Sequence, residues 1–201
     1  MIPLVICSVI ALAIVIEKFI GIRRVEKKAG EFIEKTRKIL KGNEKGKANR
    51  EEFKELRINK VLALCKTASP PARILKAAIE KKERGREEVK EAIVDAGSLE
   101  VPYLGRYLRI LETIVTIAPL LGLLGTVRGM IRAFNEIALQ GVGQPGALAG
   151  GISEALYTTA FGLGIAIPCL VFYNYFTHRT ERFVRKLESF SSEFLELLVG
   201  R

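Results

Sequence analysis

Tryptophan is absent from this 201-residue chain, and histidine occurs once, at position 178. A single histidine beside Arg179 builds neither a metal cluster nor a Cys-His pair. Cys7, Cys65 and Cys169 are scattered, without the paired spacing of zinc or redox motifs. They read as small buried hydrophobes, so no disulfide framework, metal or cofactor is expected. No glycine-rich loop ending in Gly-Lys-Ser/Thr occurs, which argues against an ATP-driven pump. The glycines of "GVGQPG" (141–146) fit a dinucleotide fingerprint, yet no strand precedes them and Pro145 interrupts them. They read as a loop between two apolar segments. No repeat or low-complexity segment emerges. Cations are missing from one region in particular: residues 133–153 hold no Lys or Arg, although the chain carries 32.

What is present is segregated. The chain is 49% hydrophobic and 27% charged, and the two classes occupy different stretches, as a membrane protein requires. Apolar blocks predict three transmembrane helices, at 1–21, 110–132 and 151–176. They leave a charged helical segment at 22–109, an outer (periplasmic) loop and helix start at 133–150, and a C-terminal helix at 177–201. The first block, "MIPLVICSVIALAIVIEKF", has no basic region ahead of it and no small-residue cleavage site after it, so a span is preferred to a secretory signal. A chain that opens almost inside the membrane leaves room for a few residues ahead of Met1.

Orientation follows from basic residues. Arg23, Arg24, Lys27 and Lys28 follow the first span, Arg106 and Arg109 precede the second, and Arg179, Arg182, Arg185 and Lys186 follow the third. The expected topology is an outer N-terminus and a cytoplasmic C-terminus, with Arg128 and Arg132 as outer exceptions that snorkel or face a wet interior. The net charge of +10 does not signal nucleic acid, because acidic and basic residues are interspersed over 22–109 without a nucleic-acid motif.

That charged segment reads as helical, punctuated at "KGNEKGK" (41–47) and Pro70-Pro71, with Val89, Ala92, Ile93 and Ala96 on one face. Beyond the third span, Phe176, Phe183, Leu187, Phe190, Phe194 and Leu197 recur at helical spacing. Two explanations stand: a self-association seam, or packing against the chain's own helices.

The spans carry unusual residues. In the second, Gly122, Gly125, Thr126, Gly129 and Ala133 form a small-residue stripe, and Pro119 removes a backbone donor. In the third, Gly151, Glu154, Ala155, Thr158, Gly162 and Ala166 form another, with Thr159 alongside. Such stripes let helices approach closely; tight packing is one account of them, and a narrow polar path between the helices, lined by their hydroxyls, is the other. Glu154 is costlier: a carboxylate at mid-bilayer costs about 2.5 to 3.5 kcal/mol on insertion scales. It is either part of a polar path with Thr126, Thr158 and Thr159, or a residue near a helix N-terminus favoured by the dipole.

"APLLGLLGTVRGMIRAF" followed by "ISEALYTTAFGLGIAIPCLVFYNYF" resembles the ExbB/TolQ/MotA family of proton-channel motor subunits. The likeness extends to "ICSVIALAIVIEKF" and "RFVRKLESFSSEFLELL", and is weakest at 25–85. Three spans and this length resemble the ExbB and TolQ branch. The resemblance implies an all-α membrane protein, three transmembrane helices with cytoplasmic extensions, forming a homo-oligomeric, pentameric ring in the bacterial inner membrane. It implies no enzyme and no cofactor, but a proton-motive-force-driven subunit around an ExbD- or TolR-like single-span partner. Work would then reach a TonB-like or TolA-like periplasm-spanning protein. An ExbB-like role in outer-membrane uptake is the leading expectation, a TolQ-like role in envelope integrity the nearest alternative, and a non-conducting scaffold the alternative of another class.

Carried over by motif, the threonine of GTV falls on Thr126, the glutamate of EAL on Glu154, the following threonine on Thr159 and the span-two proline on Pro119. Arg128 matches no family role, and Thr158 doubles the hydroxyl beside Thr159.

Overall fold

The computed structural model describes residues 2–41, 50–66, 69–140 and 145–199. The "GVGQ" part of the glycine-rich loop and residues 42–47 of "KGNEKGK" lie outside them. Six α-helices follow in order: α1 (Ile2–Lys41), α2 (Arg50–Leu64), α3 (Pro70–Glu80), α4 (Arg86–Gly105), α5 (Leu108–Gln140) and α6 (Pro145–Val199). A 3-10 turn at Lys82–Arg84 precedes α4.

Helix boundaries have local causes. Pro70 and Pro71 occupy the first positions of α3, where the missing N–H groups are not needed. Gly85 takes φ 103° before α4, a conformation that costs glycine little. Tyr107 takes φ 69° between α4 and α5, and its carbonyl accepts from the backbone N–H of Ile110 and Leu111 to start the new helix.

Helices α1, α5 and α6 are each long and apolar enough to cross a bilayer. At about 1.5 Å per residue, the 40, 33 and 55 residues of these helices exceed the roughly 30 Å hydrocarbon core. Residues 133–140 thus belong to α5 and 145–150 to α6, extending helix well past the stretches expected to span.

The chain divides into two compact units. The first joins Met1–Lys18 with Tyr107–His178. Its apolar windows are only 22%, 22% and 28% buried within the chain, leaving Val5, Val9, Leu12, Leu120, Leu123, Leu156, Phe161 and Ile167 on its exterior. Water does not tolerate so much contiguous apolar surface; lipid or neighbouring helices do.

The second unit joins Phe19–Arg106 with Arg179–Arg201. Its core gathers Phe32 and Ile33 of α1, Val61 of α2, Leu75 and Ala78 of α3, Val89 of α4, and Phe183, Leu187, Phe190 and Phe194 of α6. The aromatic recurrence of the C-terminal helix therefore packs on the chain's own helices, while Leu197 turns outward and Leu198 enters the core. Ion pairs pin the same elements together: Arg179 donates Nε and Nη2 to the Glu26 carboxylate, and Arg37 reaches Glu193 at 2.7 Å. Burial also pushes the Cys65 thiol up to about 11, despite an opposing pull from Lys76.

Candidate functional site: the α5–α6 seam

Within the first unit, α5 and α6 run antiparallel with their small residues facing each other. A Cβ placed on Gly162 would lie 2.6 Å from Ala118 O, and one on Gly122 would lie 3.0 Å from Thr158 O and Thr159 Cα. Along the same seam, Gly125 faces Thr158, Gly129 faces Ala155, and Gly151 faces Ala133. Backbone therefore approaches backbone, an approach that only glycine and alanine allow.

The seam buries hydroxyls without orphaning them. Thr158 is buried; its Oγ1 donates to Ala155 O at 2.7 Å and lies 3.4 Å from Gly122 O. Thr159, half-buried, donates Oγ1 to the same Gly122 O at 3.2 Å. Thr126, half-buried on α5, donates to Leu123 O at 2.7 Å. Each hydroxyl spends its one proton on a backbone carbonyl and keeps lone pairs for an incoming donor. Chemically, Thr158 and Thr159 put two such acceptors at the close-packed seam, and Thr126 adds one on α5.

Glu154 sits differently from its expected place. It is one turn from Thr158, but Thr158 enters the helix contact while Glu154 lies outside it, its side chain 63% exposed. Across from it on α5 stands Arg132, with Nη1 3.4 Å from Oε2, whereas the Thr126 hydroxyl turns back to its own helix. The separation is long for a charge-assisted bond, and the pair is open to its surroundings. Pro119 lies inside α5, half-buried, one residue from Ala118 at the tightest approach. Arg128 is exposed.

The sequence reading missed Arg132 as the partner of Glu154. A signal existed: Arg132 is the last cation before the Lys- and Arg-free stretch that leads to Glu154. Among the described residues, no cluster of His, Cys, Asp and Glu forms that could hold a metal ion.

Comparison with known proteins gives a consistent answer. The profile of the MotA/TolQ/ExbB proton channel family matches residues 66–189. The chain is 32% identical over 177 residues to the biopolymer transport protein ExbB-like 3 of Synechocystis sp., a match covering 87% of this chain and 79% of that protein. It is 36% identical over 120 residues to an ExbB homolog of Methanothermobacter thermautotrophicus, covering 60% and 42% of the two chains. With the Tol-Pal system protein TolQ of Pseudomonas aeruginosa, identity is 37% over 112 residues, or 56% of this chain and 48% of that one. These last two matches span less than half of the relatives' own length. Among solved structures, the flagellar MotAB stator complex from Bacillus subtilis matches with a TM-score of 0.53 at 19% identity, covering 95% of this chain and 78% of that one, a likeness of fold.

Proposed function

Because the chain belongs to the MotA/TolQ/ExbB proton channel family, we propose that it is an ExbB-like motor subunit driven by the proton-motive force. The observation that carries this reading is the pair of Thr158 and Thr159 hydroxyls on a glycine-packed α5–α6 seam, with the Thr126 hydroxyl half-buried on α5. In the proposed assembly, copies of the chain form a pentameric ring around an ExbD- or TolR-like single-span partner in the inner membrane. A carboxyl on the partner carries the proton, and the hydroxyl oxygens accept from it or from water as it passes.

Glu154, tethered to Arg132, sets the charge near the outer end of that path instead of carrying the proton itself. Moving one charge through 100 mV releases about 2.3 kcal/mol, enough for small steps between equivalent ring positions. Gly122, Gly125, Gly129 and Gly162 keep the wall thin, and Pro119 shapes it.

Proton flux in vesicles reconstituted with the single-span partner tests this. Combined Thr126→Ala and Glu154→Ala substitution should slow flux about tenfold or more, equivalent to about 1.4 kcal/mol on the barrier. Unchanged flux would remove the path assignment, and a scaffold would show assembly defects with no flux to lose. The TolQ-like reading is favoured by the Pseudomonas relative. Co-purification decides it: a TonB-like protein supports the ExbB-like role, a TolA-like protein the TolQ-like one.

A further inference from the structure

A second polar site lies away from the seam, within the charged unit. A cavity of about 530 Å³ is bordered by Arg24 and Lys28 of α1, Ser69, Pro70 and Arg73 at the start of α3, and Leu99 and Glu100 of α4. Arg24 and Lys28 are one helical turn apart and share a face, and both are exposed. Glu100, itself 6% exposed, accepts from Arg73 Nε and Nη2, holding that guanidinium in the wall and neutralising it. The charge excess of the cavity therefore comes from Arg24 and Lys28.

Ser69 is the informative residue. It is 1% exposed, and its hydroxyl has no hydrogen-bond partner among the described residues. A serine preceding a helix ordinarily caps the N–H groups of the first turn. Here Pro70 and Pro71 have no N–H to cap, and those of Ala72 and Arg73 already donate to Ser69 O. The hydroxyl is thus a buried polar group left unsatisfied, which costs stability unless something arrives to accept its proton. Cations, a free hydroxyl donor and the positive end of a helix dipole all select an anion.

We propose that this cavity binds a phosphate group, and that the group is the headgroup of an anionic phospholipid of the cytoplasmic leaflet. Arg24 and Lys28 directly follow the first apolar run, which sets the cavity at headgroup depth when α1 spans the membrane. The proposal rests on that membrane placement and not on the proton path, so loss of flux leaves it standing. The Ser69 hydroxyl donates to a phosphate oxygen, with Arg24 and Lys28 as its charge partners.

The test is native mass spectrometry of the full chain in detergent, titrated with phosphatidylglycerol, phosphatidylcholine or inorganic phosphate. Phosphatidylglycerol should bind in preference to phosphatidylcholine. Combined Arg24→Gln and Lys28→Gln should weaken it about tenfold or more. Ser69→Ala should weaken it about fivefold without changing charge. Because the hydroxyl caps nothing and is unsatisfied, that variant should keep the wild-type helical circular dichroism and melt no lower than the wild type. Arg23→Gln with Lys27→Gln, the same charge change outside the cavity, should cost no more than about twofold. Bound inorganic phosphate that displaces the lipid and is lost in the Ser69 variant would support the site with a free ligand as its source. Equal losses in the two charge variants with no effect of Ser69→Ala would overturn the proposal, as would the absence of both lipid preference and phosphate binding.

Discussion

A Cβ at Gly162 would press on the Ala118 carbonyl at 2.6 Å, and backbone cannot swing aside as a side chain can. Gly162→Ala should therefore lower the melting point in detergent by an amount equivalent to about 1 to 3 kcal/mol. Gly164→Ala, with nothing within 4 Å of the added carbon, should leave it unchanged or slightly raised. Equal effects of the two would contradict the seam as drawn. At Cys65 the thiol is raised from the ordinary 9.0 to about 11, so the folded protein holds its proton where the unfolded chain releases it. Stability from this group is complete below pH 9 and declines as pH rises toward 11. Mass-spectrometric mapping at pH 8.5 should find Cys65 alkylated slowly in the native protein and quickly after denaturation. The candidate residues themselves were legible in the sequence, because glycines, threonines and a carboxylate stand out in apolar runs. Which atoms they face was not legible: hydroxyl rotamers and the Arg132 partner of Glu154 depend on the register between two helices, which no local pattern encodes.

At the scale of the element, α6 does two jobs, supplying the seam and then a hydrophobic ridge for the charged unit. Phe190 is 2% exposed in that core, and Phe190→Ala should cost about 3 to 5 kcal/mol, read as early loss of amide protection across α3 and α4 in hydrogen exchange. Protection that persists would mean that the ridge serves a partner instead. The pair of Arg179 and Glu26 is largely shielded, so Glu26→Ala should cost about 1.5 to 3 kcal/mol. Glu34→Ala, which breaks a solvent-exposed pair with Lys38, should leave the melting point where it was. The sequence showed this helix and its periodic face but left two uses for the face open. The choice between them lies in contacts with α1 to α4, more than a hundred residues away for most partners, and only packing reveals them. Helix ends were the least legible feature: α5 runs on through 133–140, which holds no proline or glycine to stop it, and α6 starts at Pro145, a residue suited to a first helical turn.

For the whole molecule, segregation of charge from apolar sequence carries most of the account. Exteriors of the three long helices are apolar where the chain is poor in charge, and the basic residues gather at the ends expected to face the cytoplasm. Family membership then connects this frame to a proton channel, and the glycine-packed seam is the wall proposed for it. In the proposed ring, the Thr158 and Thr159 hydroxyls of the seam donate to backbone carbonyls and offer only lone pairs to a newcomer, so they accept hydrogen bonds without carrying a proton themselves. Conduction should therefore depend on a second chain. The most direct measurement is pH-dye proton flux into vesicles containing this protein alone, the single-span partner alone, or both, under an imposed membrane potential. The account predicts flux only with both chains present, reduced when the Thr126 and Glu154 substitutions are combined. Equal flux from this protein alone, or none from the assembled pair, would contradict it.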